Sequence, residues 1–219
     1  MSDLNLQKKT LNSDFICLIN NDTLLMQDDF LSRICADYQQ HHFAVLGPQI
    51  LSKDQKVISL MEPIAPRAVY IVHRWLIQCQ LVLCRFIPGF FDTVDAVKNC
   101  VGKLRKPKEQ APTAGESKLQ PQKDIMLRGC FWIFSPDYVE RFDGLDDRTF
   151  LYREEQLLFI RLKKNGLHTY YDPELKIIHL EDAATNAVAK TEFKKRVFTL
   201  QNEVKSMKIL IDALKDYQG

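Results

Sequence analysis

Hydrophobic positions along this chain follow two rhythms: short unbroken runs closed by turn-formers, and longer stretches with apolar residues three or four apart. The first run, Phe15-Ile16-Cys17-Leu18-Ile19, begins after Asp14 and is closed by Asn20-Asn21-Asp22-Thr23. A continuous apolar run of that length predicts a buried strand of a parallel sheet rather than a helix. Residues 24–40 read as a helix, and Phe43-Ala44-Val45-Leu46, stopped by Gly47-Pro48, as a second short buried strand ending in a turn. Residues 125–134, IMLRGCFWIF, form a third strand-like run with Gly129 inside it. A missing side chain there permits close approach of a ligand or a second backbone.

Glu154 to Lys164 has helical spacing, with Leu157, Leu158, Ile160 and Leu162 as its apolar positions, lysines in the last turn and Gly166 placed to end it. Thr169-Tyr170-Tyr171 and Lys176-Ile177-Ile178-His179 read as two strands about an Asp172-Pro173 turn. Phe193, Val197, Leu200, Val204, Met207, Ile211 and Leu214 alternate at four and three, which predicts a helix with one narrow apolar seam that docks on another surface. Strands alternating with helices place the chain in the α/β class.

Two segments fall outside that alternation. Residues 68–91 are almost wholly apolar, but Arg74 and Arg85 leave only ten uncharged residues between them, too few to span a bilayer. Val69, Val72, Leu76, Cys79, Leu83 and Phe86 recur at helical spacing while Arg74, Gln78 and Arg85 fall on another side. Such a helix either lies in a membrane interface or covers the sheet. Residues 100–124 change to Lys, Pro, Gln and Glu with no apolar period and read as a mobile loop.

Composition narrows the class. The 219 residues are 46% hydrophobic and 26% charged, enough for one sizeable core. A net charge of +2 gives no ground for a nucleic-acid partner, and no segment repeats at solenoid spacing. Six cysteines are scattered without a CxxC pair, and the amino terminus MSDLNLQKKT is polar, which predicts reduced thiols in a cytoplasmic protein.

Three polar groups stand at strand ends or a helix start: Asn20-Asn21-Asp22, Glu154-Glu155, and His179 with Glu181-Asp182. Each has an ordinary explanation alone. Asn and Asp after a strand are turn-formers, acids in a first helical turn complement the macrodipole, and a strand-end histidine usually finds a hydrogen bond. Together they suit an oxygen-rich divalent site on Asp22 and His179, with an unligated carboxylate beside it as a base.

The order apolar strand, NND, then RGCFWIFSPDYVERFDGLDDRTFLYREEQLLFIRLKKNGLHTYYDPELKIIHLEDAAT resembles family 2 glycosyltransferases of the GT-A fold, in the branch that builds capsular and other surface polysaccharides. The resemblance covers residues 13–185. It implies that Asp22 stands at the metal-binding acid of the DxD motif, holding Mn2+ or Mg2+ on the donor diphosphate, with Asn20 and Asn21 flanking it on the donor side. The family block FDGF…FxYxEDxDLxxR is matched by Phe142-Asp143-Gly144-Leu145, Phe150-Leu151-Tyr152, Glu154-Glu155 and Arg161. By that match Glu155 is the base, Glu154 and Gly129 lie on the acceptor side, and Arg161 supports them. The block P…xxHxEDxxT falls on Pro173, His179, Glu181, Asp182 and Thr185, and brings His179 to the metal and diphosphate.

The sequence departs from the family in three places. Glu155 is one methylene longer than the usual aspartate, and Arg128 replaces a histidine before the acceptor glycine. The family's opening strand xSxIIPxYN and its DNxSxD strand have no counterpart. The expected fold is therefore an amino-terminally truncated, GT-A-like mixed sheet flanked by helices, with residues 1–189 as a partial catalytic domain and 190–219 as a carboxyl-terminal helix.

The implied activity is inverting, metal-dependent transfer of a sugar from a nucleoside-diphosphate sugar to a hydroxyl of a lipid-linked or glycan acceptor, at the inner face of the cell membrane. A separate amino-terminal half or a homodimer is the expected protein partner. The rival reading is a non-catalytic fragment or half of a split enzyme. A metal-dependent hydrolase using Asp22 and Glu155 ranks last, because it leaves the block from Phe142 to Arg161 unexplained.

Overall fold

Pairing rather than continuous apolar sequence puts two strands inside the sheet. In the computed structural model, which describes residues 14–87, 89–91, 93–97, 120–180 and 192–217, strands β3 (Val45–Leu51) and β6 (Thr169–His179) pair in parallel and are buried along most of their length. β5 (Phe131–Phe134) pairs antiparallel with β3, and β1 (Ile16–Ile19) pairs antiparallel with β5. β2 (Thr23–Leu25) and β4 (Gln122–Lys123) both pair antiparallel with β6. The order is β1-β5-β3-β6-β2, a mixed sheet.

The first strand is therefore not an interior parallel strand. It is an edge strand, with Ile16 buried but Cys17 and Ile19 exposed, because its only strand neighbour among the described residues is β5. Nor does residue 24 begin a helix. Thr23 to Leu25 pair with His179 to Ile177, and that long-range ladder overrides local helical preference until α1 (Phe30–His41) starts.

β3 continues through Gly47-Pro48 instead of turning. A side chain at residue 47 would stand 2.8 Å from Leu127 Cδ2, so glycine is what lets the neighbouring segment close over the strand. The register against β6 shifts between Pro48 and Gln49, where β6 loops out residues 173–175. A proline is tolerated at such an irregularity. The Asp172-Pro173 signal thus marks a bulge inside one long strand: Asp172 Oδ1 accepts from the Glu174 amide at 2.8 Å and shapes it locally. The run 125–134 contributes only its last four residues to β5, and Gly129-Cys130 form a turn before it.

Alternation along β5 feeds both faces of the sheet. Phe131 and Ile133 join Phe30 and Ile34 of α1 on one side; Trp132 and Phe134 meet Tyr138 of α3 (Pro136–Arg141) and Leu158 and Leu162 of α4 (Glu154–Lys164) on the other. α4 ends as its sequence predicts, with Gly166 at φ 65° and the Leu167 amide donating to Leu162 O. Its outer residues Leu157 and Ile160 pack with α2 (Arg67–Phe86) and α5 (Glu192–Ala213) in a third cluster. The α5 seam closes the core through Met207, Leu210, Ile211 and Leu214, whereas Phe193 at its start is exposed.

Within α2 the buried residues are Tyr70, Ile77 and Cys84. The apolar stripe that includes Val69, Val72, Leu76, Leu83 and Phe86 is exposed and does not cover the sheet. Most of the segment 100–124 lies outside the described residues, as do Cys100, Glu181, Asp182 and Thr185. The other five cysteines carry free thiols.

β1 and β2 sit at opposite ends of the strand order, yet only residues 20–22 join them. Four flat strand spacings span about 19 Å, while the chain from Ile19 to Thr23 reaches at most about 14 Å. The sheet has to curl to let that turn bridge its two ends.

Candidate functional site

Strand directions decide which ends of the sheet meet. β1, β3 and β6 point one way and β5 and β2 the other, so the carboxyl ends of β1 and β6 lie at the same edge as the starts of β5 and β2. Residues 20–22 cross that edge. The Asn20 amide donates to Cys130 O at 3.0 Å, and Asp22 O accepts from the Leu180 amide at 2.9 Å. The turn is thereby fastened to the Gly129-Cys130 turn on one side and to the end of β6 on the other. Asn20 and Asn21 are exposed, while the Asp22 side chain is only 11% exposed.

Pairing of Thr23 with His179 brings the histidine beside that aspartate. Asp22 Oδ1 lies 3.2 Å from His179 Nε2, and the imidazole is 14% exposed. The two groups are within ion-pair distance but are not aligned for a hydrogen bond. Asp22 Oδ1 and both ring nitrogens of His179 are buried without any hydrogen-bond partner. Buried polar atoms are seldom left that way.

The second carboxylate arrives from α4. Glu155 is in the first turn, and its Oε1 stands 2.8 Å from where a Cβ on Gly129 would be. The close approach expected at Gly129 is thus made by this carboxylate, with Trp132 Cζ2 at 3.3 Å from the same point. Cys130, next in the chain, lies in the fields of Arg128, Asp22 and Glu155, which places these groups in one neighbourhood. Burial is the main influence on its thiol and pushes the pKa up to about 12, so the sulfur stays protonated and is no nucleophile.

Glu154 faces a drier environment. Burial first, and then the charge of Glu155, raises its pKa, and its Oε1 has no hydrogen-bond partner. The backbone that delivers the two acids is strained: Leu151 and Arg153 take φ of 72° and 75°, a conformation that costs L-residues about 1–2 kcal/mol each. Arg153 is held there by Glu203 of α5 at 2.7 Å and lies over the Tyr70 ring of α2.

Arg161 and Arg128 are fastened to backbone. Arg161 Nη1 donates to Gly144 O at 2.6 Å and its guanidinium covers the Phe142 ring, so it supports the FDGL turn. Arg128 Nε donates to Ile58 O at 2.6 Å, which ties the Gly129 turn to residues 58–59. Sequence reasoning did not single out Trp132, Thr149, Arg153 or Glu203. Trp132 Nε1 is buried without a partner, and the FWIF run around the tryptophan carries a signal only for burial.

A divalent cation fits this donor set in kind. Asp22 offers a carboxylate oxygen and His179 an imidazole nitrogen, a mixed pair closer to Mn2+ than to Mg2+ in preference. Among the described residues no cluster of three His, Cys, Asp or Glu gathers. Two protein ligands leave most of a cation's shell to phosphate oxygens and water. The sequence matches no model of a known protein family. It matches no curated protein either.

Proposed function

We propose that the chain is a glycosyltransferase of the GT-A type that moves a sugar from a nucleoside-diphosphate sugar to an acceptor hydroxyl in surface-polysaccharide synthesis. One observation carries the reading: residues 20–22 bridge the carboxyl edge of the sheet so that the partnerless Asp22 and His179 share an edge with Glu155, seated against Gly129. In α/β sheets that edge is where ligands bind.

Asp22 and His179 would hold the cation, whose charge, when bound, offsets the negative charge of the departing diphosphate. Asn20 and Asn21, exposed beside them, face the donor. Glu155 accepts the proton of the acceptor hydroxyl as the hydroxyl oxygen bonds to the sugar carbon and the bond from that carbon to the diphosphate oxygen breaks. Burial raises the pKa of Glu154, the neighbour of Glu155 in the same helical turn, and the Leu151–Arg153 backbone leads into both acids. Arg161 and Arg128 position the site through backbone carbonyls.

The test is thermal unfolding of the chain with UDP-, GDP- and dTDP-sugars, with and without Mn2+, followed by assay of sugar transfer. A ligand that binds only the native state raises the midpoint. A rise that requires both Mn2+ and a nucleotide sugar, and that disappears in Asp22→Ala, supports the reading. A folded chain that no donor stabilises overturns it for the chain alone.

A second reading rests on the exposed edge of β1. Its outer side has no strand partner among the described residues. A separately encoded half that adds strands there would supply the nucleoside site, and donor binding would then need both polypeptides.

A further inference from the structure

Helix α2 presents its most hydrophobic side outward. Tyr70, Ile77 and Leu81 face α4 and α5, and Arg67 Nε and Arg74 Nε donate to Ile211 O and Val204 O of α5, so the helix is fixed in rotation. At 100° per residue the opposite side carries Ile71, Val72, Trp75, Leu76, Val82 and Phe86, all exposed. Trp75 is 62% and Phe86 77% exposed. With Val69 and Leu83, also exposed, this apolar face covers roughly 160° of the helix, wider than the two-position seam with which helices pair.

Charge says what the face meets. Residues 63–91 contain no acid, while Arg67, Arg74 and Arg85 line one border of the face. A helix with a broad apolar side, an exposed tryptophan and only cations at its margin has the chemistry of a lipid interface. Its apolar residues enter the acyl boundary and its arginines reach anionic headgroups. No helix among the described residues is long and apolar enough to cross a membrane. We infer that the outward face of α2 docks the protein on an anionic bilayer, with Trp75 and Phe86 inserted and Arg85 at the headgroups.

Vesicle binding is independent of sugar transfer: a chain inactive toward every donor would still float with anionic vesicles. The full chain is mixed with phosphatidylcholine vesicles and with vesicles containing about 30% phosphatidylglycerol, and Trp75 emission and flotation are followed. Trp132, the only other tryptophan, is buried and serves as a constant background. Binding to anionic vesicles with a blue shift is expected. It should weaken at least tenfold in V72S/L76S and also in R85E, with the unfolding midpoint unchanged in both.

Equal binding to neutral and anionic vesicles, or none to either, overturns the inference. So does a monomer–dimer equilibrium abolished in V72S/L76S, which would assign the face to a second copy. A large fall in the midpoint of V72S/L76S would assign it to another part of this chain and would overturn it as well.

Discussion

Asp22 Oδ1 and His179 Nε2 stand 3.2 Å apart because Thr23 pairs with His179 at the end of β6. Neither atom has a hydrogen-bond partner among the described residues, and both are buried. Asp22→Ala and His179→Gln should each abolish the Mn2+-dependent rise in unfolding midpoint expected with a nucleotide sugar. Midpoints without ligand should change little, since no hydrogen bond is lost. A metal-dependent rise that survives both substitutions would place the cation elsewhere.

Glu155→Gln should retain donor and Mn2+ binding but lose about 10²–10⁴-fold in transfer rate, the usual contribution of a positioned general base. Single-turnover assays with saturating donor distinguish this from a binding defect. A variant with unimpaired turnover would remove Glu155 from the chemistry.

Gly129→Ala should act through Glu155. The new methyl would stand 2.8 Å from Glu155 Oε1 and 3.3 Å from Trp132 Cζ2, and the carboxylate is the more mobile neighbour. Transfer should fall at least tenfold, with a loss of stability of about 1–3 kcal/mol from overpacking. Equal turnover in the two proteins would show that the position of Glu155 is not critical.

Several features of this site were legible in the sequence and several were not. The strand-end Asp22, the first-turn acids Glu154 and Glu155, and the glycine stop at Gly166 are local signals, and the structure shows each in that local setting. Strand partners are not local. Thr23 to Leu25 look helical until β6 claims them, and residues 173–175 look like a turn between strands until β3 pairs on both sides of the bulge. The helical period of α2 shows which residues share a face, but α5 decides which face is buried.

A separate carboxyl pair sets a pH dependence. Burial first, and then the nearby charge of Asp172, push Asp37 of α1 up to about 7 from an ordinary 3.8, with Arg33 opposing. A carboxyl raised on folding stabilises the native state below its unfolded pKa and loses that contribution as pH rises through the folded value. The unfolding midpoint should therefore fall between about pH 4 and pH 7. Asp37→Asn should flatten that fall and exceed the wild-type midpoint at pH 8, as a series of melts would show.

Arg161→Ala should destabilise without touching ligands directly. It removes the charged donor to Gly144 O and the cover over Phe142, a loss of about 1–3 kcal/mol. Urea unfolding measures it, and Arg161→Lys should recover part of it.

Residues 20–22 also join two ladders of long sequence separation. β1 pairs residue 16 with residue 134, and β2 pairs residue 23 with residue 179. Each of these ladders closes a loop of more than a hundred residues, with the loop-closure entropy that goes with it. The turn between them acquires its shape only when both ladders exist, so the Asp22–His179 pair is assembled by two long-range pairings rather than by local sequence.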